Sequence, residues 1–152
     1  MKDVQIDADL WWYWNDAVGD MGLHAAPLEP STAGAPDGAA DDRRIRAATR
    51  YRAIELCVGA LPEEQVRLLE MSHRPIPPAM RPQLGRLGSL AHVLIDERGP
   101  HWVLEQLHSN GAELTDAVAR ARRKVQKAVE AFRTELTQWQ RATGRLSRRK
   151  TR

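Results

Sequence analysis

Apolar residues recur at helical spacing through most of the chain after residue 42. Between residues 42 and 61 they are separated alternately by four and three positions, which places them on one side of a helix. They are Ala47, Tyr51, Ile54, Val58 and Leu61. The phrase Leu61-Pro62-Glu63-Glu64 then combines proline with two acidic residues and predicts a second helix that ends near Ser72.

Two further helices are predicted between residues 80 and 109. Prolines at 75, 77 and 78 predict an extended loop ahead of them. A helix over 80–97 has six apolar positions, which are Leu84, Leu87, Leu90, Ala91, Leu94 and Ile95. Gly85 and Gly88 lie within it and would permit close helix packing. A shorter helix over 101–109 carries the apolar residues Trp102, Val103, Leu104 and Leu107.

The longest predicted element is a helix over 111–143. Its apolar residues are three or four positions apart and include an eleven-residue repeat, which keeps the stripe on a nearly straight helix. The stripe consists of Leu114, Val118, Ala121, Val125, Val129, Phe132, Leu136 and Trp139. At 1.5 Å per residue this helix extends about 50 Å. Since a small domain needs less, part of it is expected to project or to pair.

The first 42 residues have a different pattern. Residues 7–18 predict a short helix in which four aromatic residues are adjacent, with Leu10, Trp11, Trp14 and Val18 on one face. Residues 19–42 are rich in Gly, Pro, Ala and Asp and predict a flexible linker. No strand signal of comparable strength is found.

The sequence therefore predicts an all-α fold, a small helical bundle with a long basic C-terminal helix and a separate Trp-rich N-terminal helix. The predicted segments are a Trp-rich helix over 1–18, a flexible linker over 19–41, a helical domain over 42–143 and a basic tail over 144–152. At 152 residues the chain can bury a core without metal or disulfides, and its one cysteine, Cys57, cannot form an internal disulfide.

Apolar stretches are far shorter than the ~18–20 residues that span a bilayer, so we expect no membrane association. Acidic residues stand where a signal peptide would carry basic ones, and we expect a cytoplasmic protein.

Charge is sorted along the chain. Residues 1–42 contain one basic and nine acidic residues, a net of −8, whereas residues 113–152 contain twelve basic and four acidic residues, a net of +8. A basic C-terminal segment of this kind is typical of proteins that contact phosphate. The balance points to nucleic acid, and to DNA first, as the partner; no cofactor is implied.

The spacing of the cations places many of them on one side of the long helix. Six lie within about 45° of the side opposite Val125. The predicted phosphate contacts are Arg120, Arg123, Lys127, Arg141, Arg145 and Arg148, together with Arg149, Lys150 and Arg152 of the tail. Glu130 interrupts this face. A solvated helix face, or one that pairs with the acidic N-terminal segment, is the alternative.

The segment after Arg50 carries a family resemblance. From Arg52 it reads Arg-Ala-Ile-Glu-Leu-Cys-Val-Gly-Ala-Leu-Pro-Glu-Glu-Gln-Val-Arg-Leu-Leu-Glu. It resembles the opening helices of region 4 of bacterial sigma factors and of the phage late-gene transcription regulators related to them, the Q-type antiterminators. The Trp-rich start and the segment Ala119-Arg120-Ala121-Arg122-Arg123-Lys124-Val125 are similar to the start and the basic closing helix of such regulators. The resemblance implies a phage-like protein that binds DNA and regulates transcription.

The resemblance is weaker beyond residue 72. Those regulators place a Gly-x-Ser turn and a recognition helix after the Glu-rich helix, whereas positions 73–83 hold four prolines here. No residue matches the recognition helix, so no base-reading residue is carried over.

The aromatic cluster is a candidate partner surface. Trp11, Trp12 and Trp14 could stack unpaired bases or anchor a protein partner, for which RNA polymerase is one candidate. For Trp11 and Trp14, a place in the core or in an interface is favoured, so their face of the helix is the predicted inner face. The rival function is accordingly a helical adaptor or homo-oligomer that pairs through the long helix and binds protein through the Trp cluster.

A third and weaker hypothesis is a di-metal helical enzyme. Two Glu-x-x-His phrases, Glu70/His73 and Glu105/His108, are of the kind used by carboxylate-bridged metal bundles. Exposed surface histidines are the simpler interpretation. Other catalytic motifs are absent, and Cys57 lies on a predicted apolar face where an inert buried thiol is expected.

Overall fold

The structure, a computed structural model, describes residues 3–22, 38–109 and 111–150. All regular secondary structure in these residues is helical, which confirms the prediction of an all-α small helical bundle. The α-helices are α1 (Asp3–Asn15), α2 (Ala17–Asp20), α3 (Gly38–Gly59), α4 (Glu63–Ser72), α5 (Arg81–Leu84), α6 (Ala91–Arg98), α7 (Pro100–Ser109) and α8 (Ala112–Lys150). No described helix has both the length and the apolar character that a membrane crossing requires.

Helix α8 forms one side of the core and packs against α3, α4, α6 and α7. Its fully buried residues are Ala121, Ala128 and Phe132, and Leu114 and Leu136 are almost fully buried. The predicted stripe is therefore the core-facing side. Its valines at 118, 125 and 129 are only half-buried, because the side that packs most closely is turned toward the alanines.

The N-terminal helix α1 packs against α3 and α4 and shares the bundle's core. Ile6 and Leu10 are fully buried. The predicted inner face was partly wrong, because Trp12 is buried with 8% of its surface exposed, whereas Trp11 is 40% exposed. Ala17 and Val18 lie on the separate helix α2, where Ala17 is buried and Val18 is exposed.

The ends of the predicted linker are helical. Helix α2 includes residues 19 and 20, and α3 begins at Gly38, ahead of the predicted start at residue 42. Met21 and Gly22 follow α2 in a turn, and residues 23–37 of the linker lie outside the described residues. At the other end of the chain, α8 continues to Lys150, so the backbone of the predicted tail is helical from 144 to 150, and 151–152 lie outside the described residues.

The predicted helix over 80–97 is broken. After a 3₁₀ turn at Pro78–Met80, helix α5 leads into a 3₁₀ segment, Gly85–Leu90, before α6 begins. Gly88 adopts φ +55° and ψ −130° inside that segment, a conformation that side chains other than glycine rarely tolerate. Outside the local chain, no atom lies within 4 Å of a Cβ placed at Gly85 or Gly88, so neither glycine serves close packing as predicted, and the bend lies at Gly88.

The two glycines provide a matched pair of substitutions. Gly88→Ala is expected to lower the free energy of unfolding by roughly 1–3 kcal/mol, because the strain of the positive φ is not offset by any contact. Gly85→Ala is expected to raise it by about 0.4–1 kcal/mol, since Gly85 is already right-handed helical with open space around it. Urea denaturation monitored by circular dichroism measures both. Equal effects of the two substitutions would contradict the kink at Gly88.

Candidate nucleic-acid interface

The side of α8 opposite the core presents a row of cations. Four of these side chains are described and all are exposed; together we call them the outer basic face, which consists of Arg120, Arg123, Lys127 and Arg141. The backbone of residues 145–150 continues the same helix. Of the other predicted contacts, the side chains of Arg145, Arg148, Arg149 and Lys150 lie outside the described part, as does all of Arg152. One unbroken helix therefore carries the row.

Two carboxylates of the acidic N-terminal segment contact cationic or imidazole groups away from α8. Asp9 forms an ion pair with Arg50, and Asp7 lies 3.1 Å from His73 Nε2. The alternative in which α8 pairs with that segment is thus not seen among the described residues, where no ion pair engages the outer basic face. Lys124 lies on the flank of α8, outside the outer basic face. It does form an ion pair, with its Nζ 2.9 Å from Glu97 Oε1.

Further cations on α3 were not predicted as contacts. Arg46 and Arg50 line a cleft of about 340 Å³ with Trp139 and Gln140 of α8. The signal was present in the sequence as the run Arg43-Arg44-Ile45-Arg46, but only the packing of α3 against α8 brings Arg46 near the C-terminal half of the basic helix. The positive surface is therefore not confined to α8.

Trp12, one of the predicted partner residues, is buried and its ring is engaged within the chain. Its indole N–H donates to the Asp20 carboxylate, and the Arg50 guanidinium lies 4.2 Å from the ring centroid, a cation–π contact. Trp14 is half-buried, with its ring 5.2 Å from that of Tyr13 and 6.3 Å from that of His73. Of the three predicted partner residues, Trp11 is the one whose ring is exposed.

Trp11 lies in an open groove that sequence reasoning missed. The groove, of about 960 Å³, is bounded by α1, the 3₁₀ segment Gly85–Leu90 and α8; we call it the Trp11 groove. Its apolar lining is Trp11, Leu87, Leu90, Val125 and Val129. Its cations are Arg86, Arg122 and Arg133, and its carboxylates are Asp7 and Glu130. Because these residues come from three distant parts of the sequence, no local pattern could have predicted the groove.

The chain matches no protein-family model, no curated protein and no solved structure.

The two Glu-x-x-His pairs do not meet in a metal site within the described residues. His73 is buried, where its Nδ1 lies 2.8 Å from the carbonyl oxygen of Leu69, while Glu70 pairs with Arg74 at 3.1 Å. On α7, Glu105 is exposed and lies 3.9 Å from His101. No group of three or more His, Cys, Asp or Glu side chains suited to a metal ion occurs in this part of the chain.

Cys57 is buried on the inner side of α3. Burial, with a smaller contribution from Glu135, raises the pKa of its thiol from the ordinary 9.0 to about 11. The neutral thiol is therefore the form held in the folded protein, as expected for a cysteine with a packing role.

Cys57 is expected to react slowly with a thiol reagent. At a pH of about 8 the raised pKa lowers the thiolate fraction about a hundredfold relative to the unfolded chain, and burial slows access further. The rates of reaction with Ellman's reagent, with and without denaturant, measure the difference in reactivity between the unfolded and folded chain. Equal rates of reaction in the folded and unfolded states would contradict the burial.

The stability contributed by the neutral thiol is fully present below pH 9 and is lost as the pH rises from 9 toward 11.

Proposed function

We propose that this protein binds nucleic acid, with duplex DNA as the first candidate, by contacting phosphate through the outer basic face. The single observation that supports this most is that one continuous helix buries its apolar side while its opposite side carries exposed cations that no described carboxylate engages. Cations of this kind can release counterions from nucleic acid when they contact phosphates, which is the main source of affinity in sequence-independent binding.

We further propose a role in transcription regulation, on the resemblance to sigma-factor region 4 and the related phage regulators. Residues 42–72, which carry it, form most of α3 and all of α4, two helices joined by a short turn at Pro62. RNA polymerase would then be a candidate protein partner. Phosphate contacts alone position a protein without reading bases, so the base-reading surface would lie elsewhere on the bundle.

The test compares two double variants of equal charge. Arg123→Gln/Lys127→Gln removes two cations of the outer basic face, and Arg52→Gln/Arg81→Gln removes two exposed cations from α3 and α5. Fluorescence anisotropy with a labelled duplex across a salt series is expected to give the first variant a slope of log K against log salt that is shallower by about 1.8, because each lost phosphate contact removes about 0.9. The control variant is expected to retain the parent slope.

Equal slopes for the two variants would contradict the proposed phosphate contacts. If neither variant nor the parent binds duplex or single strand at roughly 50 mM salt, where electrostatic binding is strong, the nucleic-acid function itself is wrong.

One observation favours the alternative, a helical adaptor or homo-oligomer. Helix α3 exposes Ile45 and Leu56, with 63% and 53% of their surfaces accessible. They are eleven positions apart, which places both within about 20° on one side of the helix. A fixed multimer mass in light scattering that falls to the monomer mass in Ile45→Ser/Leu56→Ser, with no polyanion affinity in either form, would favour this alternative.

A further inference from the structure

The Trp11 groove combines an exposed aromatic ring with guanidinium groups on its walls. Trp11 contributes the ring from α1, Arg86 reaches the groove from the 3₁₀ segment, and Arg122 and Arg133 reach it from α8. Arg86 and Arg122 are exposed, so these side chains border an open surface.

The charge of the groove is positive. Its two carboxylates oppose three guanidinium groups, and one of them, Asp7, already lies 3.1 Å from His73 Nε2. The other, Glu130, lies on α8 one helical turn from Arg133. An anionic ligand is therefore better matched to this groove than a neutral or cationic one.

The groove also adjoins the outer basic face along the same helix. Arg122 directly precedes Arg123, and a helix turns by about 100° per residue, so the two side chains leave α8 on neighbouring sides. A polyanion bound along the outer basic face would thus have a neighbouring segment within reach of the groove.

We propose that the Trp11 groove binds an unpaired segment of nucleic acid, with a base stacked on Trp11 and a phosphate held by Arg122. This inference rests on the proposed nucleic-acid function and names the form of nucleic acid that the groove takes. Stacking of bases on aromatic side chains beside cations is the common basis of single-strand binding without sequence preference, because every base has a π face. An acidic protein segment would use the cations but would have no need of an aromatic ring.

The test uses the intact chain with a thymidine oligonucleotide of about 20 residues, long enough to cover a typical single-strand site. Trp11→Leu keeps an apolar side chain and removes the ring; the Asn15 hydrogen bond at this position goes to the Trp11 carbonyl and is retained. Arg122→Gln removes one groove cation. Val18→Ala and Arg52→Gln serve as controls, since both positions are exposed, on α2 and α3 respectively, and lie outside the groove.

Trp11→Leu is expected to weaken single-strand binding by roughly 5- to 100-fold and to abolish the quenching of tryptophan fluorescence by the oligonucleotide, with duplex affinity nearly unchanged. Arg122→Gln is expected to make the salt slope for the single strand shallower by about 0.7. Both controls are expected to match the parent chain.

The other outcomes overturn the inference in distinguishable ways. If Trp11→Leu and Arg122→Gln bind the single strand as the parent does while Arg123→Gln/Lys127→Gln binds it weakly, the groove assignment is wrong and the proposed function stands. If Arg122→Gln weakens binding of polyglutamate as much as binding of the oligonucleotide and Trp11→Leu weakens neither, the groove is a general acidic-ligand surface. If the parent binds neither nucleic acid, both proposals fail.

Discussion

Replacing Phe132 with alanine is expected to lower the free energy of unfolding by about 3–5 kcal/mol. Phe132 is fully buried on the inner side of α8 and belongs to the same core as Leu10 of α1, Leu69 of α4 and Leu94 of α6. Removing its ring leaves a cavity where the long helix meets the rest of the bundle. Since small domains have only about 5–15 kcal/mol of net stability, this loss is a large part of the total.

Urea denaturation monitored by circular dichroism measures this effect. Gln138→Ala is the matched control, because Gln138 is exposed on the same helix, and its substitution is expected to change stability by no more than about 0.5 kcal/mol. A loss below about 1 kcal/mol in Phe132→Ala would contradict a core built around the inner side of α8.

Ending the chain after Gln140 is expected to weaken duplex binding about a hundredfold or more at roughly 100 mM salt. Residues 141–152 contain six cations and no acidic residue. The cations are Arg141, Arg145, Arg148, Arg149, Lys150 and Arg152. If each contacts a phosphate, their removal makes the salt slope shallower by up to about 5.

The shortened chain is expected to remain folded, because Trp139 is the last described residue of α8 that packs against the core. An unchanged thermal unfolding midpoint is the control for this. Unchanged duplex affinity and salt slope in a folded shortened chain would exclude the C-terminal cations as a contact surface and favour the oligomer alternative.

Helical periodicity predicted the elements of the core well where one side of the helix is uniformly buried. The stripe from Leu114 to Trp139 predicted α8, and the phrase at Pro62 predicted the start of α4. These patterns are local and follow directly from 3.6 residues per turn. They hold because the buried side of each helix remains the same along its length.

Features set by contacts between distant parts of the chain were predicted poorly. Because four aromatic residues are adjacent, the pattern could not show which of them is buried. The buried one is Trp12, whose ring contacts Asp20 and Arg50. Gly88 was predicted to lie within a helix, because apolar spacing alone does not reveal a positive φ.

The spacing of the cations predicted that they share one side of α8, but it did not predict which of them form ion pairs. Glu97 of α6 decides this for the two lysines, because it forms an ion pair with Lys124 and not with Lys127. The Trp11 groove likewise depends on the half-buried Val125 and Val129, which the sequence pattern placed in the buried stripe of the helix.

Lysine footprinting tests the phosphate contacts of α8 most directly. Lys127 belongs to the outer basic face, whereas Lys124, three residues earlier, lies on the flank beside Glu97. Acetylation rates of both would be measured by mass spectrometry with and without a saturating duplex at roughly 50 mM salt, where electrostatic binding is strong. The proposed interface predicts that the duplex slows acetylation of Lys127 several-fold more than that of Lys124. Equal rates for Lys127 in the free and duplex-containing samples would contradict it.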